Sequence, residues 1–255
     1  MRQFPRQVSR LALWSRQLAG FALAVVLVGI ALTRWMVFPQ DKGLISTASG
    51  VVLAAIALLL AIAAYVEIWR TGAIGLVRAN IGALLALAIL AVPLWQVTKA
   101  FSLPPINDVS TDPVEVPAFS RSRAALAARG GYVPDLPGEA TRHAQQKAYA
   151  DLEPVILDMA PDEAFDLVLE VAGDLKWQVI EKSAPSGRSG TGRIEAMART
   201  VLMRFVDDIT IRIRPHANGT RVDIRSASRI GQHDLGANAA RIRAFAEALQ
   251  DAAKP

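Results

Sequence analysis

Arginines, carboxylates and hydroxyls concentrate between residues 195 and 241, and they are the side chains of this sequence best suited to binding chemistry. The candidate site comprises Glu195, Asp207, Asp208, Arg212, Arg225, Ser228, Arg229, Asp234, Asn238 and Arg241. Guanidinium groups on an exposed sheet face beside a helix N-terminus can bind anions, because they donate paired hydrogen bonds to carboxylates and phosphates. We therefore expect an anionic ligand, such as a lipid headgroup, a cell-wall carboxylate or an acidic protein.

The same side chains have a second interpretation, in which they serve only the fold. Glu195 and the acidic pair at 207–208 would neutralise the arginines, and Asp234 would cap a helix. Asn238 and Arg241 would then attach that helix to the strand ends. The sequence leaves both interpretations open.

Signals for catalysis are weak throughout the chain. With no cysteine, it has no thiolate nucleophile and no disulfide. The three histidines at 143, 216 and 233 are not at metal-ligand spacing, and no G-x-S-x-G motif occurs. We predict no catalytic residue, cofactor or metal site. The enzymatic alternative is a hydrolase that uses Ser228, His233 and Asp234.

An antiparallel hairpin is predicted to carry much of the candidate site. Isoleucine alternates with polar residues over 209–214, and the Asn-Gly pair at 218–219 is typical of a two-residue turn. Pairing across that turn keeps the apolar residues on one face, and it sets Arg212 opposite Arg225. Two facing cations cost stability unless an anionic group lies between them.

The remaining elements of the soluble part follow from similar patterns. A strand over 191–205 is predicted to pair with the hairpin through a loop at 206–208, with a β-bulge near Arg199-Thr200 where the alternation slips. One helix is predicted over 161–173, because Pro161 suits a first helical turn. A last helix follows Asp234 as its N-cap. The predicted fold is an α+β domain, a four-stranded antiparallel meander packed with helices.

Three apolar stretches precede this domain, at about residues 18–38, 50–69 and 79–97. Each is close to the ~20 residues that a helix needs to cross a bilayer. Residues 1–99 contain nine Lys/Arg and two acids, a charge of +7, and the remainder contains nineteen and twenty-one, a charge of −2. The overall charge of +5 therefore belongs to the membrane part, which argues against nucleic-acid binding.

The basic residues beside these stretches predict the orientation. Six precede the first stretch or lie between the second and third, namely Arg2, Arg6, Arg10, Arg16, Arg70 and Arg78. Three lie on the other side, namely Arg34, Lys42 and Lys99. The excess predicts a cytoplasmic N-terminus, which places the C-terminal domain in the periplasm of a bacterial inner membrane. We divide the chain into a membrane region (1–99), a Pro-rich connector (100–154) and the α+β domain (155–255).

Three segments of the chain carry a resemblance to a known family. They are the run from Pro105 to Asp112 with the prolines after it, the run from Gly192 to Ala196 with the later Asp207-Asp208, and the run from Arg225 to Ile242. In these segments the chain resembles an uncharacterised bacterial family, domain of unknown function 1499. The family's usual His-Asp appears here as Asn107-Asp108, and its usual Tyr-Pro-Asp as 149–151. Both departures weaken acid–base chemistry at these positions. The resemblance implies a domain that often follows membrane spans, and it implies no established reaction.

Taken together, the sequence predicts a multi-pass membrane protein whose periplasmic domain binds without catalysis. The expected partners are the lipid bilayer and either a protein or an anionic lipid or cell-envelope component. The sequence does not predict an oligomeric state.

Overall fold

The computed structural model describes residues 7–254, so Arg2 and Arg6 of the orientation argument lie outside the described residues. Contacts between Cα atoms divide the chain into two compact units. The first comprises residues 1–99 with 201–204, and the second comprises residues 100–200 with 205–255.

Three long helices form the first unit, α1 (Arg10–Arg34), α2 (Gln40–Thr71) and α3 (Leu76–Ser102). Each is long and apolar enough to cross a membrane. The three predicted stretches correspond to these helices, although the first was expected to continue to Phe38 and α1 ends four residues earlier. The predicted membrane-spanning character of the N-terminal region is thus supported.

Small residues allow these helices to approach closely. The side chains buried between them are almost all alanine, glycine, serine and threonine. A Cβ atom added at Gly82 would lie 2.1 Å from the Ser15 hydroxyl oxygen, and one added at Gly43 would lie 1.7 Å from that of Thr33. Helices in a bilayer associate through such close packing, because lipid tails remove the usual hydrophobic driving force.

The second unit contains an antiparallel sheet of six strands, two more than predicted. They are β1 (Asp108–Ser110), β2 (Val155–Leu157), β3 (Gln178–Ser186), β4 (Thr191–Arg199), β5 (Val206–His216) and β6 (Gly219–Ser228). The order is β1-β6-β5-β4-β3, and β2 pairs with β6 beside β1. The extra strands, β1 and β2, have three residues each, too few to show an alternating pattern in the sequence.

Four helices complete this unit, α4 (Arg123–Ala128), α5 (Glu139–Ala148), α6 (Pro161–Asp174) and α7 (Ala237–Ala252). The helix α6 confirms the prediction for 161–173. Together α6 and α7 cover one face of the sheet, where Ile209, Ile211 and Ile224 are fully buried. The predicted α+β class is therefore confirmed, with the strand count corrected.

The predicted register of the hairpin was wrong by two residues. His216 pairs with Gly219, so the turn consists of residues 217–218, and Arg212 faces Asp223 instead of Arg225. A shift of two residues leaves every side chain on its predicted face, which is why the alternation could not reveal it. At Gly219 the φ angle is +116°, and an added Cβ would lie 2.1 Å from the carbonyl oxygen of Leu157. Glycine thus occupies the site where β2 approaches most closely.

The predicted bulge and loop before β5 were also wrong. Pairing between β4 and β5 is continuous from Gly192 to Arg199, and the connecting loop covers residues 200–205. Thr200 and Phe205 close this loop with two hydrogen bonds of 2.9 Å. The slip in alternation therefore marks the end of a strand, and Asp207 and Asp208 belong to β5.

The second face of the sheet is covered by residues 111–138, which we call the strap. The strap includes α4 and lies over the polar side chains of β4, β5 and β6. It belongs to the same compact unit as the sheet.

Candidate functional site

The pleat of the sheet divides the predicted site residues between two faces. Glu195, Asp208 and Arg225 point toward the strap, whereas Asp207 and Ser228 contact α7 or its neighbours on the other face. Successive side chains of a strand point to opposite faces, so no single site can contain them all. The structure instead groups them into separate polar clusters.

The central cluster lies beneath the strap, and most of its side chains are closed to solvent. Arg129 of the strap contacts Glu195 at 2.6 Å and Asp208 at 2.9 Å, and all three side chains are fully buried. Arg229 binds the other side of Asp208 at 2.7 Å, and the Thr210 hydroxyl donates to Glu195 at 2.8 Å. Two guanidinium groups therefore balance two carboxylates. Sequence reasoning missed Arg129, because nothing in the pattern of the short alanine-rich helix α4 shows that the arginine following it is buried.

A second buried pair joins β6 to β1. Arg225 donates to both carboxylate oxygens of Asp108, at 2.9 and 2.6 Å, and to the carbonyl oxygens of Pro117 and Asp135. Within the strap, the Phe119 ring lies 4.6 Å from the Arg225 guanidinium, measured to the ring centroid. Asp108 lies in one of the three segments that carry the family resemblance, but its pairing with Arg225 was not predicted.

Phe119 also links this pair to the central cluster. Its ring centroid lies 5.0 Å from the Arg129 guanidinium, so one aromatic ring contacts two buried cations. The negative face of an aromatic ring attracts cations, and the attraction is stronger where water is excluded. Cation–π contacts and ion pairs together hold the strap on the sheet.

A third cluster contains three arginines of the hairpin. Arg214 faces Arg221 across the two strands, and Arg212 lies beside them. The carboxylates of Asp112 and Asp223 contact all three guanidinium groups, at distances of 2.8 to 3.3 Å. Carboxylates thus lie between two facing arginines, as the sequence analysis expected for a pair of cations. The facing pair is Arg214 and Arg221, and not the predicted Arg212 and Arg225.

The helix-side residues attach α7 to the sheet. Arg241 contacts Asp207 at 2.5 Å and donates to the Ser226 hydroxyl at 2.8 Å, and Asn238 donates to the Ser228 hydroxyl at 2.9 Å. These contacts agree with the interpretation in which the residues serve the fold.

Asp234 stabilises the start of α7 from a position two residues before the N-cap residue. The cap position is occupied by Gly236, whereas the Asp234 carboxylate accepts the backbone N–H groups of Gly236 and Asn238 at 2.9 and 2.7 Å. The prediction that Asp234 itself is the N-cap residue was therefore wrong in position, although its carboxylate does bind the free N–H groups of the first turn.

The three residues of the hydrolase alternative do not form a nucleophile–base pair in the structure. His233 accepts the Leu235 N–H at Nδ1, and its Nε2 lies 3.3 Å from the Ala100 carbonyl oxygen. Among the described residues, no hydrogen bond joins Ser228 to His233. Nor does the described part of the chain contain a group of three His, Asp or Glu residues placed to hold a metal ion.

Burial changes the acidity of two site carboxyl groups. Complete burial raises the pKa of Glu195, against the lowering effect of hydrogen bonds from Arg129, Thr210 and Ser120. Burial likewise raises the pKa of Asp207 beside Arg241. Loss of water disfavours the ionised form, so both carboxylates depend on their arginine partners.

A polar cleft opens beside the Arg225–Asp108 pair. Its volume is about 200 Å³, and it is lined by Asn107, Asp108, Tyr132, Pro134, Asp135, Pro137, Thr141, Ala227 and Ser228. Apart from Asn107, which immediately precedes β1, these residues come from β1, the strap, α5 and β6. Of the predicted site residues, only Ser228 lines this cleft.

Three membrane-length helices followed by a six-stranded antiparallel sheet with helices on one face define a membrane-anchored α+β protein. The family model described as "Protein of unknown function (DUF1499)" matches residues 108–249. The chain therefore belongs to this family. The match begins at the first residue of β1, so the family domain includes the strap. No curated protein and no solved structure matches the chain.

Proposed function

We propose that this is a multi-pass protein of a bacterial inner membrane whose C-terminal domain lies in the periplasm and binds a partner or an anionic envelope component without catalysis. The observation that carries the binding role is the polar cleft between β1, the strap and β6. The orientation is supported by the excess of basic residues on the N-terminal side of the membrane spans.

The cleft has the features of a preorganised binding site. One wall contains Asp108, which is fixed by two hydrogen bonds from the buried Arg225. Asn107, Tyr132 and Ser228 also line the cleft, beside two prolines. A volume of about 200 Å³ suits one polar side chain or a small polar group of a larger ligand.

The ion pairs favour a partner recognised by hydrogen bonds. Each arginine of the predicted site contacts at least one carboxylate, and an anion would have to compete with Asp208 for Arg229. Buried charges that lose a partner are costly, so this competition opposes direct anion binding at the clusters. A protein partner that inserts a polar group into the cleft avoids this cost.

Mass spectrometry of what copurifies with the full-length protein in native lipids tests the proposal. We expect the bound species to be lost from the Tyr132→Ala variant, because this substitution removes one wall of the cleft. His143→Ala is the matched control, since His143 is exposed on α5 and Thr141 of the same helix lines the cleft. Retention of the same species by Tyr132→Ala would contradict the site assignment.

The same protein preparation can be used to distinguish binding without catalysis from hydrolysis. If the copurified species is a substrate, the wild type converts it and Ser228→Ala does not. Unchanged recovery of the intact species after prolonged incubation with the wild type supports binding without catalysis.

A further inference from the structure

The loop between β4 and β5 combines exposed apolar tips with basic flanks. Val201 is 89% exposed and Leu202 is 56% exposed. Arg199 precedes them and Arg204 follows them, and neither arginine side chain forms an ion pair with another described residue. We propose that this loop, residues 199–205, contacts the surface of the phospholipid bilayer in which the helices of the same chain are inserted.

The loop holds its tip in a defined shape. The Thr200 N–H donates to the Phe205 carbonyl oxygen, and the Phe205 N–H donates to the Thr200 hydroxyl, both at 2.9 Å. Arg204 adopts a left-handed conformation with φ of 55°. Val201 and Leu202 are the exposed apolar side chains of the loop, and Arg204 beside them is exposed as well. A preformed tip loses little conformational entropy when it binds a surface.

The sheet register places this loop at the end where the chain enters the domain. Asp108, the first residue of β1, pairs with Ala227 near the end of β6, and Ser228 pairs with Asp207 at the start of β5. Arg199 pairs with Val206 at the same end. The other two hairpin connections, residues 187–190 and 217–218, lie at the opposite end of the sheet.

Chain length keeps the entry end close to the last membrane-length helix. The helix α3 ends at Ser102 and β1 begins at Asp108, so five residues connect them. A fully extended connection of this length covers about 20 Å. The end of the sheet that carries loop 199–205 is therefore tethered within reach of a bilayer surface.

The side chains of the loop match the two layers of that surface. Leucine and valine bury apolar area at the boundary of headgroups and acyl chains. Arginine donates paired hydrogen bonds to phosphate oxygens, and anionic lipids attract it further. The inference uses other residues than the cleft, and it does not depend on which side of the membrane the domain occupies.

A depth-sensitive fluorescence experiment tests this contact in the full-length chain. Because the protein has no cysteine, Val201→Cys gives a single site for an environment-sensitive fluorophore. The labelled chain is placed in nanodiscs of phosphatidylcholine and phosphatidylglycerol, with and without nitroxide-labelled lipid. We expect the label to lose about half of its fluorescence to the nitroxide lipids and to shift to the blue.

Ser189→Cys is the matched control, because residue 189 lies in the exposed connection at the opposite end of the sheet. Its label should keep its fluorescence with nitroxide lipids. Substituting both Arg199 and Arg204 by Gln in the Val201→Cys chain should weaken the quenching, and omitting phosphatidylglycerol should do the same. Equal quenching at Val201→Cys and at the control Ser189→Cys would overturn the proposal. An absence of quenching at both Val201→Cys and Leu202→Cys would overturn it as well.

Discussion

Arginine side chains are the most unusual residues of the domain, because Arg129 and Arg225 are large, charged and almost completely removed from water. Each is paired with carboxylates and also donates to backbone carbonyl groups. Charged side chains can be buried when nearly all of their hydrogen-bonding groups have partners, as those of these two arginines do. The strap is therefore attached to the sheet mainly by charged and cation–π contacts, whereas α6 and α7 pack on it through an apolar core, to which α7 adds the polar contacts of Asn238 and Arg241.

Removing Arg129 should be among the most damaging single changes in the domain. The Arg129→Ala substitution leaves Glu195 without its guanidinium partner and Asp208 with only Arg229. Breaking a buried pair in this way costs about 3–5 kcal/mol. The free energy of unfolding of the second unit, measured by urea titration in detergent with circular dichroism, should fall accordingly.

The control for this measurement is an exposed ion pair of similar geometry. Arg243 contacts Asp151 at 2.6 Å, but both side chains are about half exposed. The Arg243→Ala substitution should cost no more than about 1 kcal/mol. If the two substitutions reduce the free energy of unfolding equally, burial of the Arg129 cluster does not contribute as argued.

The raised pKa of Glu195 predicts a pH dependence of stability. Its ordinary value is 4.5, and burial raises the pKa in the folded state. As pH rises above the unfolded value, the unfolded state releases this proton first, so this group's contribution is fully present below 4.5 and is lost as pH passes the folded pKa.

Comparison with Glu195→Gln isolates this contribution, because the variant has no proton to release. The free energy of unfolding of the wild type should fall relative to that of the variant over the pH range above 4.5. Exposed carboxyl groups such as Glu115 titrate equally in both proteins and cancel. A difference that stays constant over this range would show that the pKa of Glu195 is not raised.

At the scale of elements, long regular patterns in the sequence predicted helices and strands. Very short strands, and pairings between segments far apart in the sequence, could not be predicted. Alternation over 209–214 predicted the hairpin strand and its apolar face, and Pro161 marked the start of α6. The strands β1 and β2 escaped prediction because three residues carry no period, and their common partner β6 begins more than 60 residues after β2. Contacts made across such distances leave no local signal in the sequence.

The sequence predicted which types of residue form the polar clusters better than it predicted which side chains contact one another. The carboxylates and arginines of the strands do form polar clusters, but their partners Arg129 and Asp112 lie in the strap, whose sequence has no sustained period. Whether a paired arginine serves the fold or a ligand depends on what covers it. That covering is a tertiary property, which a pattern of residues within the strands cannot show.

Gly219 should be intolerant of any side chain. Its φ angle of +116° disfavours L-residues, and an added Cβ would meet the Leu157 carbonyl oxygen at 2.1 Å. The Gly219→Ala substitution should therefore separate β2 from β6 and cost more than about 1 kcal/mol of stability. Hydrogen exchange of the β2 amides would report the separation directly.

Gly173→Ala is a control for which the opposite change in stability is expected. Gly173 lies within α6, and an added Cβ there has no atom within 4 Å. Alanine is the better helix former by about 0.5–1 kcal/mol, so this variant should be more stable than the wild type. A loss of stability in both variants would indicate a general sensitivity to glycine replacement and not a clash with β2.

At the scale of the whole molecule, the proposed orientation can be tested with single cysteines. Ser186→Cys and Ser189→Cys are exposed positions in the domain, and Thr71→Cys is an exposed position at the end of α2. A membrane-impermeant thiol reagent applied to intact spheroplasts should label the first two, because we propose that the domain is periplasmic. The Thr71→Cys chain should react only after the cells are lysed. The reverse pattern would invert the proposed topology.

The pairing of β6 with both β1 and β2 also sets an order of events during synthesis. The edge of β6 is completed by residues 108–110 and 155–157, yet β6 itself is made last of the six strands. The strand β6 begins 111 residues after Asp108 and 81 residues after the end of the strap, so both are made well before this strand exists. Contacts of such long sequence separation form slowly. Until β6 is made, Asp108 lacks its partner Arg225, and a chain terminated before residue 219 would never form this buried ion pair.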